Sequence, residues 1–238
     1  MAPTAHTEPD ENAPFSGWLA PNRHTEYNRA MIVCISRLLG AGGLTVGEAL
    51  AADLDATLLD ERTIVRTLAD RGGFSTEYLS AIDERPPSLA TSFIADFARA
   101  TALVQALEWR TTEQAILDGI RDLVLERAAS GNVVLIGHGG PRLLAEHRQT
   151  HEFFSLLLVA GRAWRTEQVA RRFNISQDEA AERVRKTDDL RRRFLQHFFA
   201  TDMYDSRDYD LAIDTERLGL GTATEIAKKA IHALLPTA

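Results

Sequence analysis

Cys34 is the only cysteine in this 238-residue chain. An internal disulfide is therefore excluded, and such a composition fits a reducing compartment. No apolar run approaches the roughly 20 residues a membrane-spanning helix needs. The start of the chain has no basic stretch leading into an apolar one, so no secretory signal is read and a cytoplasmic protein is expected. A basic excess is missing too. Twenty-seven Lys and Arg face 34 Asp and Glu, for a net charge of -7, which argues against a general nucleic-acid binder. A local basic site for a phosphorylated small molecule stays open. Gly137-His-Gly-Gly140 resembles the oxyanion loop of a hydrolase, but the G-x-S-x-G elbow that such a fold needs is absent.

The organisation is that of an alternating α/β protein. Residues 1–28 carry Pro3, Pro9, Pro14 and Pro21 among polar residues without periodicity, which predicts a flexible tail. Residues 29–238 then form one domain. Short apolar runs predict buried strands at 31–36, 56–59, 133–136, 155–159 and 209–214. Residues 61–129 read as almost wholly helical, with helix starts at Ser75 and Thr112 and a break at Pro86-Pro87. Helices are also predicted over 162–172, from a capping box at Ser176–Glu179 to about Phe199, and over 223–235. Buried strands alternating with helices predict a parallel sheet covered on both faces.

Between the first strand and its helix lies Arg37-Leu-Leu-Gly-Ala-Gly-Gly-Leu-Thr45. Glycines let backbone N–H groups converge on phosphate oxygens, and the helix start adds partial positive charge. Measured against G-x-x-x-x-G-K-[ST], Gly42 takes the last glycine position, Gly43 stands where lysine belongs and Arg37 where the first glycine belongs. The pattern alone leaves two readings open, a phosphate cradle or a tight strand-to-helix turn.

Ser36-Arg37-x-x-Gly40-x-Gly42-Gly43 resembles the S-R-x-x-G-x-G-G signature of the cytidylate-kinase-like family, whose phosphate loop also lacks lysine. Further segments agree in order. They are Leu59-Asp-Glu61, Ile82-Asp-Glu-Arg-Pro-Pro-Ser88, Val133 to Gly140, Leu158 to Ala160 with Arg165 and Val169, Lys186-x-Asp188-x-x-Arg191, and Tyr209 to Thr215. His138 departs from the family's usual arginine and Asp214 from its asparagine. The resemblance spans about residues 31–235. It implies a P-loop kinase-like five-stranded parallel sheet with helical monophosphate-binding and lid segments. It also implies transfer of a phosphoryl group from ATP, with Mg²⁺, to a nucleoside monophosphate such as CMP or dCMP.

The resemblance distributes roles. Ser36, Arg37, Gly40, Ala41, Gly42, Gly43, Leu44 and Thr45 would cradle the triphosphate, with the Thr45 hydroxyl also toward Mg²⁺. Arg37, Arg165, Arg172 and Arg191 would supply the catalytic cations. Asp60, His138, Lys186 and Asp188 would meet the acceptor. Gly43 for lysine, His138 for arginine and no aspartate at the end of the third strand keep a non-catalytic nucleotide-binding protein on the same fold open. A transferase acting on another phosphorylated acceptor stays open too. His147 and His151 have helical metal-ligand spacing without a third ligand and read as a surface pair. Cys34 and Phe194, Phe198 and Phe199 read as core.

Overall fold

The computed structural model describes residues 30–71 and 109–234. The predicted tail, the Ser75 helix start and the 82–88 motif lie outside the described residues. Five strands, β1 (Met31–Arg37), β2 (Thr57–Leu59), β3 (Val133–Ile136), β4 (Glu152–Val159) and β5 (Leu211–Asp214), form one parallel sheet in the order β2-β3-β1-β4-β5. The strand at the centre is β1, whose 31–36 run is fully apolar up to Ser36. A strand buried on both faces needs such a run, since no side of it meets water.

Alternate β1 residues feed two cores, as the two-residue period of a strand dictates. Met31, Val33 and Ile35 join Val134 and Ile136 beneath α1 (Gly43–Asp53) and the closing helix. Ile32 and Cys34 join Val133 and Leu135 beneath α2 (Glu61–Asp70) and α3 (Trp109–Ala128). After β3 come a short α4 (Gly140–Leu143) and a 3₁₀ turn. The remaining helices are α5 (Arg162–Phe173), α6 (Gln177–Phe199), α7 (Thr215–Leu218) and α8 (Leu220–His232). The Ser176–Glu179 capping box is present, with both reciprocal bonds made.

Several boundaries differ from expectation. Residues 109–111 are already helical in α3, so Thr112 is not its start. Strand β4 begins at Glu152, because Met31 and Ile32 of β1 offer it partners three residues earlier than its apolar run. Strand β5 begins at Leu211; Tyr209 follows a 3₁₀ turn capped by Asp205. The closing helix, expected over 223–235, runs from Leu220 to His232, and a short α7 that was not expected precedes it, ended by Gly219 at φ 75°. His147 and His151 lie on and beside the 3₁₀ turn, and no cluster of metal ligands exists among the described residues. Cys34 is fully buried, as expected. No helix among the described residues is long and apolar enough to cross a membrane.

The chain leaves β1 for β2 on one side and later passes from β3 to β4 on the other. Parallel sheets bind ligands at the carboxyl ends of the strands beside such a reversal. The glycine loop begins there. At the opposite end, Asn132 clamps three segments. Its Oδ1 accepts from the Met31 N–H at 2.9 Å, its Nδ2 donates to the Leu54 carbonyl at 2.8 Å, and its own carbonyl accepts from the Thr57 N–H at 2.8 Å. Replacing it by alanine leaves a strand-starting donor and a helix-end acceptor without partners. Asn132→Ala should lower unfolding stability by about 1–3 kcal/mol in urea titration. Because the clamp is at the far end of the sheet from the glycine loop, ligand affinity at the loop should not change.

Candidate functional site

The loop turns twice through left-handed backbone, at Gly40 (φ 85°) and Gly42 (φ 82°), before α1 starts at Gly43. Gly42 caps the helix without any side-chain bond, and its carbonyl accepts from Val46. Helix geometry leaves the N–H groups of Gly43, Leu44 and Thr45 without an intrahelical acceptor, a ready seat for an anion. The Thr215 hydroxyl, fully buried, bonds to the carbonyls of Ala41 and Val159, each at 3.1 Å, and so ties the loop to the ends of β4 and β5.

Two cavities meet at this loop. The larger, about 1130 Å³ with its open mouth, is lined by the loop glycines, Leu44 and Thr45. Asp60, Trp164, Arg172 and Phe173 line it as well. The smaller, about 600 Å³, is bounded by Ser36, Gly137, His138, Phe194, Leu195 and Met203. Arg37, Glu61 and Arg191 line both. They form the wall between the cavities.

Arg37 explains the missing lysine. A methyl group at Gly43 would stand 2.6 Å from Arg37 Cγ, and one at Gly137 would stand 2.1 Å from Arg37 Nη1. The stem of the arginine thus lies over Gly43 and its guanidinium over Gly137, at the end of the neighbouring strand. A side chain at 43 and Arg37 in this place exclude each other. Arg191 lies beside it, donating from Nη1 to the Arg37 carbonyl at 3.0 Å.

The electrostatics follow from enclosure. Burial lowers the Arg37 pKa and brings Arg191 down to about 9, with the Arg37 charge as its next cause. Arginine starts high enough to remain a cation at neutral pH all the same. Burial drives His138 to about 3, so its imidazole is neutral there. His138 also holds positive φ, between Gly137 and Gly139. Glu61 is pushed up to about 7 by burial, against the pull of Arg37 and Arg191.

Of the residues singled out from the sequence, the loop, Arg37, Asp60, Arg172 and Arg191 gather on the larger cavity, and Ser36 and His138 on the smaller. Ser36 is buried, only 8% exposed. Asp60 caps α2, its Oδ1 accepting from the Thr63 N–H at 2.9 Å and hydroxyl at 2.7 Å. Ala41 is wholly buried behind the loop. Three others are placed elsewhere. Arg165 is buried, only 4% exposed, and its guanidinium bonds to protein carbonyls and Asp188. Asp188 is spent on Arg165 and the Leu39 N–H. Lys186 is on the outer side of α6, paired with Glu182. Sequence reasoning missed Glu61 as a site residue, though it adjoins Asp60, and missed Trp164, Phe173, Phe194 and Met203. Phe194 packs on both cores as expected while also bounding the smaller cavity.

A glycine loop at the end of the central strand of a parallel sheet, walled by arginines, defines a P-loop kinase-like protein. The chain belongs to the cytidylate kinase-like family, whose model matches residues 32–217. It is a nucleotide kinase of that family. Cytidylate kinases of Pyrobaculum islandicum and Methanosarcina mazei are 24% and 23% identical to it over 205 and 206 residues. Those matches cover 86% of this chain in each case, and 95% and 98% of the relatives. Among solved structures, an uncharacterized protein from Eubacterium ventriosum has the same fold, with a TM-score of 0.62 at 18% identity. That match covers 85% of this chain and 99% of the other. TT1252 from Thermus thermophilus follows at 0.52 and 19%, covering 88% and 100%.

Glu61 yields a pH test. An acid raised from 4.5 to about 7 keeps its proton in the folded chain and loses it in the unfolded one between those values. The unfolded state then binds fewer protons, so this group lowers stability as pH rises through that window, and the loss persists above it. Glu61→Gln should gain roughly 2–3 kcal/mol over the native chain near pH 8 and almost nothing near pH 4. Urea titrations at the two pH values measure it, and an equal gain at both would refute the assignment.

Proposed function

We propose that this protein transfers the γ-phosphoryl group of ATP to a nucleoside monophosphate, with CMP and dCMP as the first acceptors to try. The observation that carries the reading is the pair of cavities sharing the Arg37–Glu61–Arg191 wall. The larger takes the triphosphate. Its phosphates rest on the helix-start N–H groups with Arg172 alongside, and its base has Trp164 and Phe173 to pack on. The smaller takes the acceptor, whose phosphate reaches the same two arginines.

An acceptor phosphate oxygen attacks the γ-phosphorus, the bond from that phosphorus to the bridging oxygen breaks, and ADP leaves with the electron pair. Such a transfer is mostly positioning and neutralisation of spreading charge. Arg37 and Arg191 lie where that charge develops, and they are held in place before the substrates arrive. The Thr45 hydroxyl and the Asp60 carboxylate line the triphosphate cavity and suit Mg²⁺, which takes one or two protein oxygens and completes its shell with phosphate and water. When bound, the ion supplies further charge neutralisation. The names of the two cytidylate kinase relatives support a cytidine acceptor.

Purified protein with ATP and Mg²⁺ should phosphorylate CMP or dCMP in preference to UMP and AMP in a coupled assay. Folded protein that phosphorylates none of them would overturn the proposal. Arg37→Ala should cost about 10²–10³ in kcat, the loss seen when one charge-stabilising donor is removed. Gly43→Lys restores the usual loop letter but displaces Arg37. It should weaken ATP binding about tenfold or more, ~1.4 kcal/mol, by calorimetry. Unchanged or tighter binding would show that Arg37 does not need the space over Gly43.

A further inference from the structure

The peptide unit around Leu39 is held from both sides. Its N–H donates to Asp188 Oδ1 at 3.2 Å, and its carbonyl accepts from Arg165 Nη1 at 3.0 Å. The same Nη1 donates to Asp188 Oδ2 at 2.7 Å, and Arg165 Nε donates to the Ala160 carbonyl at 2.9 Å. The next residue leaves no slack, since a methyl group at Gly40 would stand 2.7 Å from the Arg165 carbonyl oxygen. One turn further along α6, Arg191 donates to the Arg37 carbonyl. Helix α6 therefore grips the loop at two points one helical turn apart, through Asp188 and Arg191. Just before Asp188 on the same helix, Val184 and Thr187 are both essentially buried.

We infer that Arg165 and Asp188 are positioning residues that fasten the phosphate loop to α6, which makes this helix a fixed wall of the site rather than a lid that swings away. Neither side chain lines either of the two cavities described above, so neither is placed to meet a nucleotide bound there. Both act through the Leu39 peptide and through the register of α6, which carries Arg191. An ion pair this enclosed depends on its partner, because an unpaired buried charge costs far more than an exposed one. The carbonyls of Leu39 and Ala160 complete the arginine's bonding and set its plane. The consequence for catalysis rests on the phosphoryl-transfer reading above; the fastening itself does not.

Hydrogen–deuterium exchange of the ligand-free full chain tests the fastening. In Asp188→Asn, peptides covering 37–45 and 186–195 should exchange about tenfold faster than in the native chain, while those covering β3 and β4 stay as they were. A general loss of structure would instead accelerate β3 and β4 as well, and unchanged loop exchange would overturn the inference. If Asp188→Asn does not fold, Arg165→Lys is read in the same way, since one ammonium group cannot span Ala160, Leu39 and Asp188 together. The second arm is kinetic. Arg165→Gln and Asp188→Asn should each lower kcat more than they raise KM for ATP, and the double variant should be no worse than the poorer single. Additive losses would overturn it. If the native chain turns over no acceptor, the function proposed above fails, and the exchange arm still decides the fastening.

Discussion

One arginine laid over two glycines organises this site. Arg37 ends the central strand, and its side chain crosses Gly43 at the start of α1 and Gly137 at the end of β3. That placement requires the absence of side chains at both positions. It puts a permanent cation beside the helix-start N–H groups and brings Arg191 to its carbonyl. The absent lysine is therefore no defect in an otherwise ordinary loop. The loop, the neighbouring strand end and the long helix are fitted around a different cation.

Charge and enclosure oppose each other here, and the structure resolves them by choice of residue. Two guanidinium groups share a wall with one carboxyl group. Enclosure makes each of the three costlier to ionise, while mutual attraction between the arginines and Glu61 relieves part of that cost. His138, with the same enclosure and two positive neighbours, gives up its charge altogether. The smaller cavity is thus lined by cations on the shared wall and by a neutral imidazole. An arginine at 138 would have added a third positive charge to the same space.

Much of the architecture was legible from periodicity, because central parallel strands must be apolar throughout and the helices announce their starts. The capping box at Ser176 was read correctly since its two bonds are local. The start of β4 and the short α7 ahead of the closing helix were not legible: the first depends on what β1 offers across the sheet, the second on one glycine at positive φ. In the site, the loop and Arg37 were visible as a motif. The parts played by Arg165 and Asp188 were not, because sequence spacing does not tell a guanidinium aimed at a phosphate from one aimed at a carbonyl 126 residues away. Glu61 was hidden for a similar reason, as its neighbour Asp60 is the residue that a capping pattern picks out.

The chain has only three lysines, Lys186, Lys228 and Lys229, and none lines either cavity. Every permanent cation of the site is a guanidinium. An ammonium group under the same enclosure starts about two units lower and is more readily stripped of its proton. Choosing arginine keeps the wall charged where lysine would titrate. It also gives the site a distinct reactivity: amine-directed acylating reagents have no target in it, whereas vicinal dicarbonyls, which condense with guanidinium groups, do.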